Sequence, residues 1–199
     1  MRLPYFSFDD AEPGLREQFE RLPSLKLTRA IAHAQEIVLP NLRLGAALLT
    51  ATELNPRFRE LAILRVAALT GARYEWTQHV VFGERAGLSP RQIEAIRRND
   101  FGLVGFDERD RLVLDLTTDL IKHDTASAEA IEAMRVWFSS REIVELILVV
   151  GRWRMLAMLM NALDIEPEEA QPDAVLSWAT EAQADERAHT GRAKSGSDS

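Results

Sequence analysis

Cysteine is absent from this chain of 199 residues. That closes off disulfides, thiolate metal sites, cysteine nucleophiles and dithiol redox chemistry within it. It also suits a reducing cytoplasm, where we expect the protein to reside. Positive charge is in short supply. Lys and Arg together number 24 against 31 Asp and Glu, a formal net charge of −7. Phosphate backbones and anionic lipid surfaces both select basic faces, so neither a nucleic acid nor a membrane is an expected partner. The longest apolar run, near Ile143–Val150, stops at "GRWRM". It is far short of the roughly 18 to 20 residues of a spanning helix. "MRLPYFSFDDAEPG" offers no apolar core for a secretory leader. Period-2 alternation and hairpin dipeptides are missing too, which argues against a sheet.

Helical periodicity is what remains. "DDAEPGLREQFERL" predicts a short helix over Gly14–Leu22. In "LTRAIAHAQEIVLPNLRLGAALLTATEL", Thr28 is a candidate N-cap, and Pro40 should divide the run in two. "NPRFRELAILRVAALTG" has Asn55 as N-cap, Pro56 at the first helical position and Gly71 as its stop. Ser89, Asp107 and Ser127 open further helices, and "SSREIVELILVVGRWRMLAMLMNALDIE" is the longest. Being apolar on most faces, that last helix is expected at the centre. We expect an all-α compact helical bundle with one domain over residues 1–175, a core motif at 40–165 and a poorly ordered polar tail at 176–199.

Chemistry concentrates in "ARYEWTQHV", residues 72–80. Glu75 and His79 lie four apart, on one helix face. A carboxylate beside an imidazole can orient the ring and favour its protonation, which suits general acid–base catalysis. The same spacing also occurs on solvated helix faces. Glu60 lies in the otherwise apolar "FRELAILRVAAL". If buried, it needs a partner, with Arg59, Arg65 and His79 as candidates. Otherwise it is a charge near a helix N-terminus. Trp76 and Phe82 offer apolar walls. "RWR" at Arg152–Arg154 either binds a carboxylate or packs around Trp153. His33, His123 and His189 have no evident partner and default to structural or solvated roles. No zinc-ligand spacing and no Gly-rich phosphate loop is present, so neither a metal nor another cofactor is expected.

"RELAILRVAALTGARYEWTQHVVFGERAGLSPRQIEAI" resembles the carboxymuconolactone decarboxylase family, which includes the alkylhydroperoxidase D-type proteins. The likeness extends more loosely over residues 40–165. It implies an all-α fold, assembly as a homotrimer or hexamer, and a pocket between helices. It also implies a relay in the peroxidase branch: Glu, then twelve residues on a Cys-x-x-Cys, then His. Here Glu60 and His79 match the ends of that relay, while Ala72 and Glu75 stand in the two thiol positions. Without thiols the dithiol peroxidase route is closed. The decarboxylase branch carries Glu and His where this chain has Glu75 and His79.

The expectation is therefore a cofactor-free lyase or isomerase acting on a small carboxylated or unsaturated carbonyl or lactone. His79 would be the acid/base, Glu75 its orienter and Glu60 a buttress. Arg65 or Arg152 would anchor an oxyanion, and Trp76, Phe82 and Trp153 would shape the pocket. The alternatives are a peroxidase-type relative that has lost its redox cysteines, or a non-enzymatic oligomeric binding protein.

Overall fold

The computed structural model describes residues 1–102 and 105–195, with side chains in the last helix as far as residue 188. No strand occurs among the described residues. The chain divides into two compact units, one of residues 1–2 and 52–170, the other of residues 3–51 and 171–199.

The larger unit is built around α4 (Pro56–Thr70). Asn55 caps it by accepting from the Arg57 N–H at 2.9 Å, and Gly71 ends it at φ 66°. A left-handed residue at that point costs glycine nothing. Every residue from Phe58 to Ala67 is buried. That arrangement needs neighbours on all sides. They are α5 (Arg73–Arg85), α6 (Pro90–Arg98), α7 (Glu108–His123) and α9 (Ser140–Leu163). The short α8 (Ala128–Arg135) packs on α7 and α9. At Gly83 an added Cβ would lie 3.0 Å from Leu64 Cδ1, so the missing side chain is what lets α5 approach α4 this closely.

Sequence-coded starts set the directions of these helices. Ser89, Asp107 and Ser139 each form a reciprocal capping box with the residue three further on. Arg57 grips both oxygens of Asp110 at 3.0 and 2.8 Å, tying the start of α4 to the start of α7. Glu145 on α9 accepts from the N–H groups of Glu53 and Leu54, both at 2.9 Å, which holds the approach to α4.

The long helix α9 is not the expected centre. One face, from Ile143 and Leu146 to Met160, is core. The other leaves Val144, Leu148, Met155 and Met158 exposed.

The smaller unit comprises a 3₁₀ turn (Phe8–Asp10), α1 (Pro13–Glu20), α2 (Lys26–Ile31), α3 (Gln35–Thr50) and α10 (Pro172–Ser195), with α10 packed along α3. Two sequence expectations shift here. Thr28 lies buried inside α2 instead of capping it, and the break falls before Gln35. Pro40 sits within α3, in its second turn. There it removes only one ladder bond and the helix continues. The segment expected as a polar tail from residue 176 is helical as far as Ser195, and its last four residues lie outside those described, as does the side chain of His189.

Candidate active site

Glu60 is fully buried in the second turn of α4. A carboxylate removed from water must be compensated. Two of the three candidate partners do so. Arg59 donates from Nε to Glu60 Oε1 at 3.0 Å, and His79 Nδ1 lies 2.8 Å from Glu60 Oε2. The third, Arg65, turns elsewhere. It donates to Thr118 Oγ1 at 2.9 Å on α7 and stacks over the Phe101 ring at 5.0 Å. The contacts of Arg65 therefore do not bring it into the His79 cluster.

The far side of the imidazole is also engaged. Trp153 on α9 donates its indole N–H to His79 Nε2 at 2.9 Å. An indole nitrogen can only donate. Nε2 therefore accepts, the single ring proton sits on Nδ1, and Nδ1–H donates to Glu60. Both ring nitrogens are used and the tautomer is set. Phe82 lies tilted against the ring at 5.3 Å and Trp153 meets it edge-on at 5.5 Å and 81°. His79 is 9% exposed.

Glu75 was expected to orient His79, and it does not. Neither of its buried carboxyl oxygens has a hydrogen-bond partner. The i, i+4 spacing brings two side chains onto one face but does not aim the carboxylate at the ring edge. Glu60, crossing from a neighbouring helix and held by Arg59, takes that place. Glu75 keeps its own character. Burial pushes its carboxyl well above the usual carboxylate range, the nearby Arg152 charge opposes that, and Glu60 reinforces it. Arg152 is itself buried, with its guanidinium 4.7 Å above the Trp153 ring. Desolvation lowers it to about 10, against the pull of Glu75, so it remains a cation at neutral pH.

The structure thus gathers Glu60, His79, Phe82 and Trp153 through direct contacts, with Glu75 and Arg152 interacting electrostatically beside them. Trp76 is half-buried on α5. Arg59 entered the sequence reading only as a possible partner of Glu60, and Trp153 only as a wall. Its hydrogen bond crosses 74 positions in the chain, and no local spacing encodes it. No group of three or more His, Asp or Glu able to hold a metal ion comes together among the described residues.

Residues 40–114 match the model of the carboxymuconolactone decarboxylase family. No curated protein matches the sequence. Among solved structures, an uncharacterized peroxidase-related protein from Ralstonia eutropha JMP134, described as an alkylhydroperoxidase AhpD core, superposes with a TM-score of 0.72 at 17% identity. The match covers 88% of this chain and 94% of that one. A second peroxidase-related protein, from Silicibacter sp. TM1040, gives 0.70 at 18% identity, covering 84% and 91%. A protein of unknown function from Agrobacterium tumefaciens, suggested as an AhpD antioxidant defence protein, gives 0.63 at 23% identity, covering 69% and 94%. At these identities the likeness is one of fold.

Proposed function

We propose, on the match of residues 40–114 to the carboxymuconolactone decarboxylase family, that this protein is a cofactor-free proton-transfer enzyme of that kind. Its substrate would be a small carboxylated, unsaturated carbonyl compound or lactone, and its reaction a decarboxylation or a related lyase or isomerase step. The observation that carries this reading is the buried Glu60–His79 dyad, at 2.8 Å, with the unpartnered Glu75 carboxyl on the helix that bears His79. A general base needs an orienter and a dry setting, and this pair has both.

In a conjugated carboxylated lactone the substrate is its own electron sink. The bond to the carboxylate carbon breaks, CO₂ departs, and the electron pair moves onto the carbonyl oxygen as an enolate. Arg152, buried and cationic, would stabilise that oxygen. Protonation at carbon then completes the step. Glu75, whose protonated form burial favours, would give that proton and regain one from solvent, and His79 with Glu60 behind it would exchange protons with the substrate. Glu60 takes over the orienting part first assigned to Glu75. Phe82, Trp153 and the half-buried Trp76 would form the apolar wall, whereas Arg65, engaged on α7, has no part.

The solved neighbours called peroxidase-related suggest a different activity. A chain without cysteine cannot use the dithiol route, so hydroperoxide reduction by that route is not expected. We also propose a homo-oligomer, supported by the exposed apolar stripe on α9, and a cytoplasmic setting, supported by the absence of cysteine.

The test is a product screen by mass spectrometry with carboxylated unsaturated lactones. Loss of CO₂ that requires His79 is expected, with no consumption of an alkyl hydroperoxide. Full turnover by His79→Ala would sink the scheme.

A further inference from the structure

Both nitrogens of His79 are already spoken for. Nδ1–H is held by Glu60, and the Nε2 lone pair is filled by the Trp153 indole at 2.9 Å. A ring in that state can neither accept a proton nor give one to anything new. We propose that Trp153 is a displaceable cap on His79: its N–H occupies Nε2 in the resting protein, and a substrate gains the base only by putting its own acidic hydrogen in the indole's place.

Three features fit a cap better than simple packing. The donor is matched to the one free lone pair of the ring, and this leaves the reactive end of the dyad satisfied in a buried setting where an open lone pair would be costly. The rings meet edge-on at 81°, the geometry that points the indole edge at the imidazole. The Arg152 guanidinium lies over the indole face at 4.7 Å. A cation there draws density from the ring and makes its N–H a stronger donor. Exchange of one donor for another keeps Nε2 satisfied, and the displaced indole N–H stays satisfied only if the ligand also offers it an oxygen, so a substrate with a hydroxyl, or an acidic C–H next to a carbonyl, can compete, and an aprotic apolar molecule cannot. The cap would thereby select ligands that bring a proton to Nε2. The cap itself stands on geometry; its use in turnover rests on the proton-transfer reading above.

The experiment separates the two. In ¹⁵N-labelled protein, His79 Nε2 should show a pyridine-type shift, Nδ1 a pyrrole-type shift, and Nε2 should share a scalar coupling across the hydrogen bond with Trp153 Nε1. Absence of the coupling, or the opposite tautomer, overturns the cap. Trp153→Phe removes the donor and keeps an apolar ring. Acylation of His79 by diethyl pyrocarbonate, which attacks a free imidazole lone pair, should then rise by roughly fivefold to tenfold, the equivalent of one neutral hydrogen bond. His33 and His123, read on their own peptides, serve as internal references. Equal rates in the two proteins, including no reaction in either, overturn the proposal. If the variant does not fold, the coupling in the native chain decides alone. A cap confirmed in this way alongside an empty product screen would reject the enzymatic reading and leave the cap standing.

Discussion

At the scale of single residues, Glu60 and Glu75 are two buried carboxyls with opposite fates. Glu60 is paired on both oxygens, and Glu75 on neither. Glu60→Ala would leave Arg59 and His79 facing an empty space. Breaking a buried pair on one side typically costs about 3 to 5 kcal/mol, so we expect a loss of that order in chemical denaturation. Glu75 predicts the reverse. Its carboxyl is raised in the folded chain, so the folded state holds a proton that the unfolded chain releases once pH passes the ordinary carboxylate range. Its contribution to stability is therefore fully present at low pH and is lost as pH climbs toward the raised value. Glu75→Gln removes that titration. The variant should gain stability relative to the native chain on going from pH 5 to pH 8, by about 1.4 kcal/mol for each unit of raised pKa that the interval spans. A difference between the two proteins that does not change with pH would show that Glu75 is not held neutral. Both carboxyls could be picked out in the sequence as anomalies. Which one meets the imidazole could not, because the decision lies between α4 and α5 and not within α5.

At the scale of elements, local grammar was widely legible. Asn55-Pro56, Ser89-Pro90 and Asp107 each open a helix where the residues say one should open. These caps act through their own few residues, so they survive any change of tertiary context. Ser89→Ala removes the acceptor for the Gln92 N–H. We expect it to cost about 1 kcal/mol, seen as a lower unfolding midpoint with an unchanged denaturant slope. No loss would mean that the cap is dispensable. Pro40 marks the limit of such grammar. As a helix breaker it argued for a boundary, but near the start of α3 its one missing N–H is a tolerable loss. Centrality was likewise misjudged from pattern. Both α4 and α9 are apolar-rich, but α4 carries Arg59, Glu60 and Arg65 into the interior, while α9 leaves hydrophobic side chains exposed.

At the scale of the whole molecule, that exposed stripe has a regular spacing. Val144, Leu148, Gly151, Met155, Met158 and Ala162 are all exposed, at alternating steps of four and three. Met158 is 65% and Val144 55% exposed. That is the spacing of a helix–helix seam, and contiguous exposed apolar patches are a common mark of interfaces. A second copy of the same stripe is the self-complementary occupant in our proposed homo-oligomer. Leu148→Glu combined with Met158→Glu should reduce the mass in light scattering to that of one chain, near 22.4 kDa. An unchanged oligomer would move the interface elsewhere, and a native chain that is already monomeric would remove the assembly proposal.

The amino-acid sequence by itself determined the helical class, most helix starts, the exclusion of thiol chemistry and the identity of the chemically distinctive residues. All of these depend on residue type or on neighbours within a few positions. Tertiary structure alone decided that Glu60 holds His79, that Glu75 stands without a hydrogen-bond partner, that Arg65 belongs to another interface, and that Trp153 fills Nε2. Those outcomes depend on hydrogen-bond directions between residues 19 to 74 positions apart. Helical periodicity tells which face a side chain occupies, but the partner waiting across that face is set only when the helices pack.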